Sequence, residues 1–332
     1  MTDILDSGIQ LIQALQSLGD GFIAFMQAIT FLGDEEFYLL LMPLVYWCIS
    51  ARFGFRLGIM LMVSNSLNTY LKFILHLPRP YWYSREVEAY VGETSFGAPS
   101  GHSQNSVALW GLMAAKINKA WAWIIAVLVM VLVGVSRLAM GVHFHLDALT
   151  GWLTGAVLLW LFLKLQTPVA NWFEKKSDGA KIGFAALISV GIILVGWLIV
   201  QFMAGWQLPA EWVANASAAQ PDGEPIHPLA ISGLVTNAAV LFGMISGVVG
   251  MNRLGGFSAS GPLWQRIARY ALGLLILLAI WAGLDAIFPD GESLVALAAR
   301  FLRYGLVGAW VALGGPWLFM RIGLAKGLAA SK

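Results

Sequence analysis

Apolar residues run through this chain in blocks about as long as a bilayer is thick. Roughly 20 apolar residues cross the hydrocarbon core as a helix. By that ruler residues 36–51, 55–76, 100–117, 119–140, 147–166, 181–204, 229–250, 267–288 and 304–321 are candidate spans. The pattern predicts an all-α fold, a polytopic membrane helical bundle of about nine transmembrane helices. Residues 4–31 differ, because Gln10, Gln13, Gln16, Asp20 and Gln27 interrupt the apolar positions at helical intervals. That predicts one amphipathic N-terminal helix at the membrane interface, with a tenth span as the rival reading. The stretch 167–180, TPVANWFEKKSDGA, breaks the apolar run and divides the spans into two blocks. The expected organisation is therefore residues 1–34, a first block 35–166, a cytoplasmic linker 167–180 and a second block 181–332 of about four spans. Residues 206–227 carry prolines and no helical period, so they read as an irregular outer loop.

Composition sharpens this picture. The chain of 332 residues is 59% hydrophobic and 11% charged, with a mean hydropathy of +0.75, which places it among integral membrane proteins. A net charge of +2 without any long basic run excludes a nucleic-acid partner. The single cysteine, Cys48, excludes an internal disulfide and a cysteine-based metal site. Five histidines without a His-x-x-x-His spacing argue against a structural metal site as well. The opening MTDILDSGIQ lacks the basic region and cleavage site of a signal peptide, so the spans themselves are expected to direct insertion.

Orientation follows from lysine and arginine, which concentrate in short cytoplasmic loops. With the N-terminus outside, fourteen of the twenty cations fall on the inner side, from Arg52 and Arg56 through Lys175 and Lys176 to Arg321, Lys326 and Lys332. The outer loops are acidic instead, with Asp34, Glu35, Glu36, Glu86, Glu88, Glu93, Glu211 and Glu224 among their residues. Lys72, Arg79, Arg85 and Arg137 are cations on the wrong side, while Arg300 and Arg303 read as an interfacial turn before the last span. Misplaced cations at a span boundary need a functional reason.

Three short stretches supply one. KFILHLPRP ends the second span with Lys72 and Arg79, APSGHS opens the third with Ser100, Gly101 and His102, and GVSRLAMGVHFHLD carries Arg137, His143 and Asp147. One helix descends from residue 100 and its neighbour climbs back to 140, so at about 1.5 Å per residue both histidines return to the same outer face. Cations beside a Ser-Gly turn at a helix N-terminus suit a tetrahedral anion such as phosphate. His143 and Asp147, spaced i, i+4, would on a helix let the carboxylate hold one ring nitrogen while the other attacks phosphorus. His102 would then protonate the leaving group. Neighbouring cations disfavour a protonated His143, and they carry the charge that metal ions carry in other phosphoryl transfers, so no cofactor or metal is expected.

Lys72-x6-Arg79-Pro80, Pro99-Ser100-Gly101-His102 and Ser136-Arg137-x5-His143-x3-Asp147 together resemble the three-part signature of the type 2 phosphatidic acid phosphatase superfamily. The resemblance covers roughly residues 20–166. It implies a histidine-dependent, metal-independent phosphatase on a helical bundle. It also implies that Lys72, Arg79, Ser100, Gly101 and Arg137 bind phosphate, that His102 is the general acid and His143 the nucleophile, and that Asp147 orients His143. Residues 181–332 add spans that the common bacterial members lack, which leaves the substrate open.

The expected substrate is a membrane lipid carrying a phosphate or pyrophosphate: undecaprenyl pyrophosphate, phosphatidate, phosphatidylglycerol phosphate or a sphingoid-base phosphate. The expected location is a bacterial inner membrane, with the site facing the periplasm. Arg79-Pro80-Tyr81-Trp82 and the span count also resemble glucose-6-phosphatase relatives, so a sugar phosphate is the first alternative. A non-catalytic lipid binder or transporter is the rival from another class. Tyr81, Trp82 and Arg85 are candidates for the mouth of the pocket, with Arg85 free to contact a headgroup or to pair with Glu86 or Glu88. His76, His145 and His227 match no motif position and read as structural. The second block could form a homodimer surface, wall a tail-binding groove or serve another partner.

Overall fold

The computed structural model describes residues 2–328; Lys332, counted above among the cytoplasmic cations, lies outside the described residues. The fold is all-helical. In chain order the helices are α1 (Thr2–Gln16), α2 (Asp20–Thr30), α3 (Glu35–Cys48), α4 (Ala51–Leu75) and the single turn α5 (Pro80–Tyr83). Then follow α6 (Gly101–Asn105), α7 (Gly111–Ile117), α8 (Ala120–Ala139), α9 (His145–Glu174) and α10 (Asp178–Phe202). The last are α11 (Ala210–Ala219), α12 (Ser232–Arg253), α13 (Leu263–Asp285), α14 (Leu294–Ala309) and α15 (Gly315–Arg321).

Among the described residues, six segments are long and apolar enough to cross a membrane: α8, α9, α10, α12, α13 and the continuous run Leu294–Arg321. The other expected spans fall short for visible reasons. α3 has only 14 residues, and α4 carries Ser64, Asn65, Ser66, Asn68 and Thr69 in its middle. The expected span 100–117 is split into α6 and α7 by a wider π turn at Ser106–Trp110.

Four local expectations change. The N-terminal segment forms two helices, not one, because the chain turns at Gly19 with φ +88°, a backbone region open to glycine. The break expected over 167–180 is shorter. α9 runs on through Pro168 to Glu174, and Trp172 packs on Phe184 at 4.9 Å with Lys176 over its ring at 4.6 Å. Residues 206–227 are not wholly irregular, since α11 begins directly after Pro209, a residue whose missing N–H costs a helix start nothing. Arg300 and Arg303 sit within α14, whose start is capped where Ser293 Oγ accepts the amide of Ala296 at 3.2 Å. Arg303 is buried there, pairs with Asp285 and lies over the Tyr304 ring.

The chain forms two compact units, neither continuous in sequence. One comprises residues 2–37, 67–164 and 197–230. In it α2 lies along α8, joined where Thr30 Oγ1 donates to Ser136 Oγ at 2.8 Å, while Gln16 at the end of α1 donates to the carbonyls of Glu88 and Ala139. α9 crosses α6 at backbone distance. A Cβ at Gly151 would stand 2.5 Å from the Ser100 carbonyl, and one at Gly155 2.5 Å from that of Gln104. No other side chain fits at either position, the small-residue packing that lets membrane helices approach closely.

The second unit comprises residues 38–66, 165–196 and 231–328. Its core gathers Trp47, Met251, Leu277, Val311 and Phe319. Trp47 Nε1 donates to the Val311 carbonyl at 2.8 Å and its ring meets Phe319 edge-on. The buried Arg269 fastens the 258–260 loop through the carbonyls of Ser258, Ala259 and Ser260.

Candidate active site

The first unit draws the three sequence stretches to one place. Lys72 lies in the last turn of α4. Arg79 precedes Pro80, and the proline ring holds its backbone extended at φ −87°, ψ 159°. The Arg79 guanidinium is then pinned by two backbone carbonyls, Nε to Ser95 at 2.6 Å and Nη1 to Val142 at 3.1 Å. Ser95 Oγ accepts from both Lys72 Nζ, at 2.7 Å, and Arg79 Nη2, at 3.1 Å. Arg137 ends α8 and points inward. All three cations are buried.

His143 lies in the turn before α9, so its i, i+4 pairing with Asp147 is made across the helix start and not along a helix as expected. Asp147 does two jobs there. Its Oδ2 accepts the amide of Phe144 at 2.9 Å, reaching back to the residue that precedes α9, and it meets His143 Nδ1 at 3.3 Å. The other ring nitrogen, Nε2, faces Arg79 Nη1 at 3.3 Å. Arginine can only donate, so Nε2 must be the lone-pair nitrogen and Nδ1 must carry the proton. The basic nitrogen therefore points at the cations. Burial pushes the His143 imidazole well below its usual range, and Arg79, Arg137 and Lys72 push it further. It is neutral at ordinary pH.

Ser100 caps the helix that begins with α6, accepting the Ser103 amide, and its own N–H is spent on the Asp147 carbonyl at 2.9 Å. The first-turn amides of Gly101 and His102 retain no intrahelical acceptor. The His102 side chain is 20% exposed against 1% for His143, so His102 is the histidine a ligand meets first. Its Nε2 lies 2.7 Å from Asp34 Oδ1.

Two acidic residues that the sequence offers only as outer-loop charges sit inside this site. Asp34 is one. The other is Glu93, whose carboxylate bridges the arginines, with Oε2 3.1 Å from Arg79 Nη2 and Oε1 against Arg137 Nη2. Burial pushes the Glu93 carboxyl up, but Arg79, Arg137 and Lys72 outweigh it and hold the group well below the usual carboxylate range. Three buried cations thus surround one anionic side chain.

Tyr81 and Trp82, expected at the pocket mouth, are buried. Tyr81 Oη holds both backbone groups of Glu93, accepting from its N–H and donating to its C=O, each at 2.9 Å. Trp82 joins Phe96, Trp206 and Trp212 in an aromatic cluster with centroids 5.4–6.5 Å apart. Arg85 pairs with neither Glu86 nor Glu88. Its Nε donates to Asn215 Oδ1 at 2.7 Å, while Asn215 Nδ2 donates to the Trp82 carbonyl. Gln220 reaches the carbonyl of Ala89, and the His227 amide that of Thr94. Residues 206–227 thus fasten the loop that carries Glu93 and Ser95. Beside Glu93 they enclose a cavity of about 150 Å³, lined by Tyr81, Glu93, Thr94, Gln220 and Glu224.

The PAP2 superfamily model matches residues 53–170, which hold every motif residue of this site, and the model described as PAP2 superfamily phosphatase, transmembrane extension, matches residues 235–327. Phosphatidylglycerophosphatase B of Bacillus subtilis is 34% identical over 166 residues, 45% of this chain and 78% of that protein. The chain belongs to the PAP2 superfamily. It is an integral membrane phosphatase. Glucose-6-phosphatase 3 of Bos taurus is 25% identical over 358 aligned positions, 96% of each chain, so this PAP2 phosphatase is similar to it from end to end. The crystal structure of a PAP2 type phosphatidylglycerolphosphate phosphatase from Bacillus subtilis aligns with a TM-score of 0.45 and 26% identity, covering 51% of this chain and 89% of that one.

Proposed function

We propose that this PAP2 phosphatase hydrolyses a lipid phosphate or lipid pyrophosphate at the extracytoplasmic face of its membrane, without a metal ion and through a phosphohistidine on His143. In this reading about nine helices cross the bilayer, α1 lies along its surface, and the acidic loops face the periplasm of a bacterial inner membrane. The observation that carries the chemistry is the fixed tautomer of His143. With Nδ1–H held by Asp147, the Nε2 lone pair points into a cradle of Lys72, Arg79 and Arg137. A phosphoryl group that displaces Glu93 meets the two guanidiniums as planar forks and the first-turn amides of α6 as further donors. Nε2 attacks phosphorus, and His102 protonates the departing oxygen. Water then attacks the phosphohistidine, giving its proton to His102, and inorganic phosphate leaves. The cations match the charge that builds on the equatorial oxygens.

One observation favours a second reading, a sugar phosphate. The cavity beside Glu93 is small and has Glu93, Gln220 and Glu224 among its lining residues, which suits a hydroxylated leaving group better than an acyl chain. Two relatives similar along 96% of this chain are glucose-6-phosphatases. Phosphate release from a panel of lipid and sugar phosphates, measured on the detergent-purified protein, separates the two. On the best substrate His143→Ala and His102→Ala are each expected to abolish turnover, chelators to change nothing, and vanadate to compete. Turnover that survives in His143→Ala overturns the mechanism.

A further inference from the structure

Asp34 lies ahead of residues 53–170, the part of the chain that the superfamily model matches, and it belongs to none of the three motifs. Yet it makes the closest polar contact of His102, Oδ1 to Nε2 at 2.7 Å. The turn that presents it is held from both ends. Thr30, at the end of α2, is hydrogen-bonded to Ser136, the residue next to Arg137. Gly33 is packed so closely that a Cβ there would stand 3.0 Å from His102 Cδ2. That contact places the Cδ2–Nε2 edge of the ring against the Phe31–Gly33 turn and Asp34, and turns the opposite Nδ1 edge away from them. Arg137 and Glu93 are the other charged groups that act on His102, from α8 and from the 84–100 loop.

We propose that Asp34 is the positioning carboxylate of the general acid, as Asp147 is for the nucleophile. The inference rests on the mechanism proposed above. With Nε2–H donated to Asp34, the proton in play is the one on Nδ1. In the first step the His143 Nε2–P bond forms and the P–O bond to the leaving group breaks. The Nδ1 proton of the His102 imidazolium passes to the leaving oxygen, and His102 stays neutral with Nε2–H on Asp34. In the second step water attacks phosphorus, its proton goes to Nδ1, the N–P bond breaks and inorganic phosphate departs. Asp34 holds the ring orientation in both steps and balances the imidazolium charge between turnovers. The arrangement follows the general rule that a buried catalytic imidazole is oriented by a carboxylate on its non-reacting nitrogen.

Leaving-group dependence tests this. Full-length Asp34→Asn and Asp34→Glu proteins are compared with wild type on an alkyl phosphate, whose alkoxide needs a proton to depart, and on para-nitrophenyl phosphate, whose phenolate does not. The quantity read is kcat/KM, which covers the steps up to phosphoenzyme formation. Asp34→Asn is expected to lower it by roughly 100-fold for the alkyl phosphate, within the range general acids contribute. It should change little for para-nitrophenyl phosphate, and Asp34→Glu should recover part of the loss. Vanadate binding to Asp34→Asn, unchanged from wild type, shows that the cradle is folded. An equal loss on both substrates, or no loss on either, overturns the role of Asp34. If His143→Ala remains active, the mechanism itself fails, so the two failures are told apart.

Discussion

At the scale of residues, the site is a problem in charge. Lys72, Arg79 and Arg137 are buried together, an arrangement that costs several kcal/mol per uncompensated ion, and Glu93 is the anion that offsets it. Glu93→Gln should therefore destabilise the protein by about 2–4 kcal/mol, short of the full penalty for a buried pair because this side chain is 24% exposed. Vanadate should raise the melting temperature of the variant more than that of wild type, because the oxyanion takes over the missing charge. Equal vanadate shifts would rule out a shared position. The pH sign follows from the held-down carboxyl. A lowered folded-state value stabilises the fold above the unfolded value of ~4.3, and that increment is lost as pH falls below it. Wild type, but not Glu93→Gln, should show this acid loss in a melting series. His143 supplies a second pH prediction. Burial and three cations keep it neutral, so the acid limb of kcat/KM, which reports the free enzyme, should lie well below ~6.5. A limb at the ordinary imidazole value would place His143 in a different environment.

Glu93 and Asp34 also show where a sequence stops being readable. Lys72, Arg79, His102, Arg137, His143 and Asp147 stand out because their spacings survive in the chain itself, each at the end of an apolar run. A carboxylate in an outer loop looks the same whether it faces water or a guanidinium. Only the fold distinguishes Glu93 from Glu86, since its partners lie 14 and 44 residues away. Trp82 misled for a related reason: an aromatic after Arg-Pro reads as a rim residue until the residues that bury it, Trp206 and Trp212, are placed.

At the scale of elements, hydropathy located α8, α10, α12 and α13 within a few residues, because nothing interrupts their apolar runs. It did less well where a helix changes character. The π turn at Ser106–Trp110 and the early start of α14 at Leu294 leave no periodic mark. The contact between α6 and α9 is the element-level feature on which the site depends. It brings the start of α6, with His102, beside the start of α9, with Asp147, and Gly151 sets the distance. Gly151→Val should push the helices apart. Because a misplacement of about 1 Å can cost roughly 100-fold in rate, turnover should fall by at least 10-fold while membrane insertion persists. Gly183→Val on α10, where a Cβ meets nothing within 4 Å, is the control and should retain activity. A Gly151→Val enzyme as active as the control would show that this crossing does not set the geometry.

At the scale of the whole molecule, the chain reads well as a membrane phosphatase and poorly as an assembly. The motifs gave the order of the proposed catalytic groups along the chain, and nearly equal helix lengths explain their return to one place. The second block of spans gave no such sign, because its use for the site lies in residues 197–230, which join the catalytic unit from far down the chain. Hydrogen bonds between Arg85 and Asn215, or Ala89 and Gln220, link positions 130 and 131 residues apart. Contacts of that sequence separation carry no local pattern and are slow to form.

That last connection has a bearing on biosynthesis. A ribosome making this protein releases His143, His102 and the arginines well before the stretch that ties down the Glu93 loop. For that interval the nascent enzyme owns all its reactive groups without the brace that arranges them, so activity should switch on as a late event in translation, after residue 227 has emerged, and not in step with the motifs.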